Sequence, residues 1–174
     1  AISCVRNILC YKEKLNNMGI NTVLTRTDDN SIHDASADTI REKKISDIKN
    51  RLNIMNNTEN SIFVSIHQNH FSQSKYNGTQ VFYSKNNPNS VNLAESIRKS
   101  VINDLQPYNS REIKQSGSDI YLLYHAQIPA VMVECGFLSN PEETLQLKNE
   151  DYQRKLAFMI ALGIIDFINN TEAI

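Results

Sequence analysis

Two residues have side chains whose positions suit joint chemistry, Glu134 and His67. Glu134 follows Ala130-Val131-Met132-Val133, a short apolar run rich in β-branched residues. Such a run fits a strand buried on both faces. An acid at its end is costly unless something pairs with it or coordinates it. Gly136 then allows a tight turn. Ser139-Asn140-Pro141-Glu142-Glu143 carries the marks of a helix start: a capping Ser or Asn, Pro at the first helical position, acids in the first turn. The expected result is a carboxylate at the carboxyl edge of a sheet, where open α/β folds place ligands. His67 closes a second apolar strand, Ser61 to His67, so the two strands are predicted to share one site.

An imidazole beside a carboxylate suits hydrolytic zinc chemistry. Neutral imidazole binds Zn²⁺, and the metal lowers the pKa of its bound water to about 7. A nearby carboxylate can take a proton from that water and pass it to a leaving amine. Other readings stand beside this one. Glu134 is equally well read as a structural acid bonded to backbone amides of the following turn. A Cys135–His67 nucleophilic pair ranks lower, because neighbours on a strand point to opposite faces. There is no His-Glu-x-x-His helix and no Gly-x-Ser-x-Gly elbow.

The elements that must position these residues alternate. Helices are predicted over Ser3 to Met18 (stopped by Gly19), Thr39 to Asn56, a segment with inner face Val91, Ala94, Ile97, Val101 and Leu105, and Asp151 to Asn169. Strands are predicted over Asn21 to Arg26, with Val23 and Leu24 in the core, over Ser61 to His67, over Thr79 to Ser84, and at Glu134. Ile120 to Tyr124 reads as a short strand or extended edge. Alternating strands and helices imply a single α/β domain, a mostly parallel twisted sheet with helices on both faces. His33 and the Arg41-Glu42-Lys43-Lys44 run read as solvated.

The chain has 174 residues, a net charge of −1 and a pI near 6.5. That length suits one domain with a sizeable core. The charge gives no basis for nucleic-acid binding. No apolar run approaches the roughly 18 residues of a membrane span. Cys4, Cys10 and Cys135 form neither a disulfide framework nor a metal knuckle. No signal peptide is evident, and the opening Ala1-Ile2-Ser3 suggests a processed or truncated N-terminus.

Several segments carry a family resemblance. Ser65-Ile66-His67-Gln68-Asn69 resembles the Ser-Ile-His-x-Asn segment of zinc-dependent N-acetylmuramoyl-L-alanine amidases, the amidase 3 family. Val133-Glu134-Cys135-Gly136-Phe137-Leu138-Ser139-Asn140 is similar to its Val-Glu-x-Gly-Phe-Leu-Ser-Asn segment. Thr25-Arg26-Thr27-Asp28, Arg51 with Asn56, and Gly78-Thr79-Gln80-Val81-Phe82-Tyr83 resemble further family segments in order. The Lys-Tyr-x-Gly-Thr-Gln loop is most similar to that of sporulation and germination amidases, which prepare muramic-δ-lactam in spore cortex.

The resemblance implies hydrolysis of the amide between the lactyl group of N-acetylmuramic acid and L-alanine of the peptidoglycan stem. It implies one Zn²⁺, with His67 as a ligand and Glu134 as the catalytic carboxylate. The family's two other ligands, a His in a Gly-His-Gly-Gly loop and a Glu just before the first helix, are not in this sequence. Residues 1–174 are therefore expected to be an amidase catalytic domain lacking its N-terminal strand and first metal-binding loop. Its zinc occupancy and activity are expected to be weak on their own. The missing strand belongs beside the His67 strand, so the natural molecule is expected to contain it or to fill its place. The implied partners are peptidoglycan and an activating protein, with membrane contact only through a lost N-terminal segment. The implied location is extracytoplasmic: secreted or anchored on the wall side, the forespore intermembrane space included. Arg111 or Lys114 is a candidate to meet a peptide carboxylate, with a solvated loop cation as the alternative. Tyr76 and Tyr124 either stack on sugar or pack. A non-catalytic peptidoglycan-binding or partner-regulated module on the same fold is the competing function.

Overall fold

The computed structural model describes residues 12–13, 15–28 and 30–171. The helix expected over Ser3 to Met18 lies largely outside them. Its described end, residues 15–17, closes where Gly19 takes a φ of +81°, a left-handed conformation that favours glycine.

Among the described residues, four strands form one sheet in the order β1-β4-β2-β3: β1 Phe63–Asn69, β2 Gln80–Tyr83, β3 Lys114–Gln115 and β4 Ala130–Phe137. β1 with β4 and β2 with β3 run parallel, and β2 with β4 antiparallel. β4 is therefore flanked on both sides, which suits its apolar sequence.

Helices cover both faces. On one face lie α2 (Asn89–Asp104) and α5 (Glu150–Asn170), packed on Val81, Val131, Val133 and Cys135. α4 (Pro141–Lys148) joins them through Leu147. On the other face, α1 (Ile40–Asn56) and α3 (Tyr121–His125) set Met55 and Leu123 against Ala130, Phe82 and Met132. Alternate residues of β4 thus serve opposite faces, as the two-residue period of a strand requires.

Caps fix where the helices start. Thr39 and Glu42 form a reciprocal box at α1, with Glu42 N–H donating to Thr39 Oγ1 at 3.2 Å and Thr39 N–H to Glu42 Oε2 at 2.9 Å. Asn140 caps α4 ahead of Pro141, and Asn149 caps α5. α2 and α5 cross closely at Gly163, where a Cβ would stand 2.5 Å from Ile97 Cα.

Three expectations are corrected. Residues 21–26 form no strand, and Val23 is 64% exposed. No described strand runs beside this segment to complete a ladder, and strand propensity alone does not hold a strand. Residues 120–124 are helical: α3 begins at Tyr121, with Tyr124 N–H bonded to Ile120 C=O at 2.9 Å. In α2, Leu93 rather than Val91 faces the core. Val91 falls on the outer side of that helix.

Candidate active site

The parallel register from Phe63↔Ala130 onward sets His67 directly opposite Glu134. Opposed residues on adjacent strands share a face, with the strands about 4.8 Å apart. Gln80 of β2 lies opposite Glu134 on the other side. A row His67–Glu134–Gln80 therefore crosses three strands on the α1/α3 face. Neither His67 nor Glu134 ends its strand, since β1 runs on to Asn69 and β4 to Phe137. The register shifts just after His67, so this is the last regular pair of the ladder. Irregularities of this kind redirect the chain beside functional sites.

Glu134 is 9% exposed, and its Oε2 is buried without a hydrogen-bond partner among the described residues. Burial pushes its pKa up to about 7. The structural-acid alternative required bonds to the next turn's amides. Three of those amides bond elsewhere: Phe137 N–H donates to Glu143 Oε2 at 2.6 Å, Leu138 N–H to Asn69 C=O at 2.7 Å and Asn140 N–H to Phe137 C=O at 3.0 Å.

His67 reaches solvent at its edge. Protein surrounds enough of the ring that lost hydration holds its pKa below the usual histidine value, and the positive charges of Arg51 and Arg26 add to this. Arg51 is fixed by Asp47, with Nε 2.9 Å from Oδ2 and Nη2 3.1 Å from Oδ1. Asp47 Oδ1 also accepts from Ile32 N–H at 2.8 Å. An imidazole kept neutral presents a lone pair, and the adjacent carboxylate has an unclaimed oxygen. Both suit a divalent cation and its water. Among the described residues, no three His, Cys, Asp or Glu side chains gather into a metal-holding group.

A second carboxylate organises the rim. Glu143, in the first turn of α4, accepts from Gly78 N–H at 2.7 Å as well as from Phe137 N–H. It clamps the loop before β2 to the end of β4. A Cβ at Gly136 would meet its carboxyl carbon at 2.7 Å, so glycine is needed for this close approach. Tyr76, from the same loop, packs edge-on to Phe71 with ring centroids 5.1 Å apart. Tyr124 lies elsewhere, beside His125 and Lys85.

Cys135 is 1% exposed in the core of the α2/α5 face, away from His67, which rules out a thiol–imidazole pair. His33 bonds Ser31 through Nδ1, His70 is exposed, and His125 contacts Tyr121 and Tyr124. None of the three joins His67 in a metal-holding group. Asn56 pins the end of α1 to the approach to β4, with Gln127 N–H donating to its Oδ1 at 3.0 Å.

Residues 7–166 match the family model described as N-acetylmuramoyl-L-alanine amidase. The chain belongs to this family. Among solved structures it is similar to the CwlD amidase from Clostridioides difficile in complex with the GerS lipoprotein. The identity is 39%, the TM-score 0.90, and the match covers 96% of this chain and 85% of that one. The catalytic domain of CwlV from Bacillus (Paenibacillus) polymyxa matches at 26% identity and TM-score 0.75, over 96% and 83% of the two chains. The germination-specific N-acetylmuramoyl-L-alanine amidase of Bacillus subtilis is 28% identical over 90% of this amidase-family chain. The chain spans 65% of that relative's length.

Sequence reasoning missed Glu143 as a clamp and Arg26 as a neighbour of His67. Glu143 stands at the third helical position after Asn140, where a capping-box glutamate belongs. That position was a usable signal that the side chain turns back toward preceding backbone.

Proposed function

We propose that this chain is the catalytic unit of a zinc-dependent N-acetylmuramoyl-L-alanine amidase, cutting the amide between the muramic acid lactyl group and L-alanine of the stem peptide. The observation that supports this most is Glu134 Oε2, buried without a partner beside His67. A module that only binds has little use for a carboxylate held at such cost.

In this reading His67 is one zinc ligand, and the two others implied by the family come from a segment preceding Ala1 in a longer protein. Zinc, when bound, supplies Lewis-acid polarisation and acidifies water. His67 keeps a lone pair free because its surroundings disfavour the imidazolium. Glu134 takes the proton of the attacking water and gives it to the departing L-alanine amine. A carboxyl whose pKa lies near 7 is suited to both halves of that transfer.

The likeness to a germination-specific amidase supports a role in spore cortex and muramic-δ-lactam formation. Peptidoglycan as substrate supports action outside the cytoplasm. Among the described residues no helix is long and apolar enough to cross a membrane. The relative solved with a lipoprotein supports the expectation of an activating partner.

The test is zinc content and release of stem peptide from purified peptidoglycan by the full-length protein, beside Glu134→Gln. The Gln variant is expected to bind zinc and to lose activity by about 100-fold or more. Equal activity in both proteins would defeat the mechanism.

A further inference from the structure

We infer that Arg111 is a specificity residue, receiving a carboxylate carried by the peptide portion of the substrate. This rests on the amidase reading above and assigns the side of the site that grips the leaving peptide.

Arg111 is held in place from two directions. Its backbone N–H donates to Asn109 Oδ1 at 3.0 Å. Asn109 is itself buried, bonding through Nδ2 to Thr79 C=O at 3.0 Å and Gln106 Oε1 at 2.9 Å. The Arg111 side chain lies over the rings of Phe137, 4.6 Å from guanidinium carbon to centroid, and Tyr76, 5.7 Å. Its Nε donates to Asn77 C=O at 2.6 Å.

The two terminal nitrogens have no hydrogen-bond or ion-pair partner among the described residues. The half-buried arginines Arg51 and Arg98 use theirs differently, Arg51 on Asp47 and Arg98 on Glu95. The carboxylate whose field Arg111 feels, Glu143, has each oxygen occupied by a backbone N–H. A rigid guanidinium with a free outer edge is the group that recognises carboxylates in a fork geometry. Lys114 lacks this preparation: it is exposed on the two-residue β3.

The position fits the leaving side of the site. Phe137, under the guanidinium, is three residues past Glu134, but the partner strand advances only two residues over that stretch, from His67 to Asn69, so the span is about 7 Å. Glu112, next to Arg111, accepts at its C=O from Gln80 Nε2 at 2.6 Å, and Gln80 pairs with Glu134. A peptide extending from Glu134 covers about 10 Å in three residues. The carboxylate therefore belongs within the first three residues of the released peptide.

The test compares two N-acetylmuramoyl-peptides, one with free peptide carboxylates and one with carboxamides, using full-length wild type, Arg111→Gln and Arg111→Lys. Wild type is expected to favour the free acid by about ten-fold or more in kcat/KM, through KM. Arg111→Gln is expected to lose that preference, its ratio of kcat/KM values for the two substrates falling to about one, and Arg111→Lys to keep part of the preference. Equal handling of both substrates by wild type overturns the inference, as does a preference that survives in Arg111→Gln. If wild type cleaves neither, the amidase reading fails separately. Calorimetric binding of the same two ligands to wild type and Arg111→Gln then decides the role of Arg111 by the same criterion.

Discussion

His67 and Glu134 are opposed in register across β1 and β4, on the face away from the α2/α5 core. His67 is exposed and belongs to neither apolar cluster among the described residues. His67→Ala is therefore expected to leave the melting temperature of the metal-free protein within a few degrees of wild type. Its zinc affinity is expected to fall at least ten-fold, read by competition with a chromogenic chelator.

Glu134 gives a pH signature in the metal-free protein. Its folded pKa is near 7, against an ordinary value of 4.5. The folded state then holds a proton that the unfolded state releases between those values. Its contribution is most favourable below about pH 4.5 and is lost as pH rises through 7. Allowing for partial solvent screening, wild type is expected to lose about 1–3 kcal/mol relative to Glu134→Gln between pH 5 and 8. Urea titrations in chelator at both pH values read the difference, and the shared contribution of His67 largely cancels in it. Parallel pH curves for the two proteins would contradict the assigned burial.

Glu143→Ala removes the acceptor of two backbone N–H groups, those of Gly78 and Phe137. Leaving both without partners is expected to cost about 2–4 kcal/mol. For a chain of this size that lowers Tm by roughly 4–16 °C. Hydrogen exchange at Gly78 and Phe137 should quicken more than at Val131 or Val133 within β4. Glu143→Gln keeps one acceptor oxygen and should lose less.

At Gly163 two effects compete. Alanine is favoured over glycine in a helix by about 1 kcal/mol. The added Cβ, however, would stand 2.5 Å from Ile97 Cα and 2.9 Å from Ser96 C=O, backbone that cannot swing aside. Overpacking of this kind costs about 1–3 kcal/mol, so Gly163→Ala is expected to destabilise on balance, measured by denaturant midpoint.

The pairing of His67 with Glu134 was legible where chemistry and pattern coincide. An acid after Ala130–Val133 announced itself because nothing polar introduces it, and a histidine closes the mostly apolar run Phe63–Ile66. The sheet followed from alternating strand and helix patterns. Residues 21–26 misled because a strand needs a neighbour, and none of the described strands lies beside them. Ile120-Tyr121-Leu122-Leu123-Tyr124 misled because a five-residue apolar run has no period long enough to separate strand from helix. The reach of Glu143 to Gly78 spans 65 residues of sequence, and no local pattern encodes such a distance.

The two-sided use of β4 has a consequence for how this segment can change. Substitutions at Val131 or Val133 alter only the packing beneath the sheet, and those at Met132 or Glu134 only the opposite layer. Deleting or inserting one residue ahead of Glu134 would exchange the two sets at once, burying the acid among α2 and α5 and turning the thiol of Cys135 toward His67. The segment can therefore vary in composition far more freely than in length.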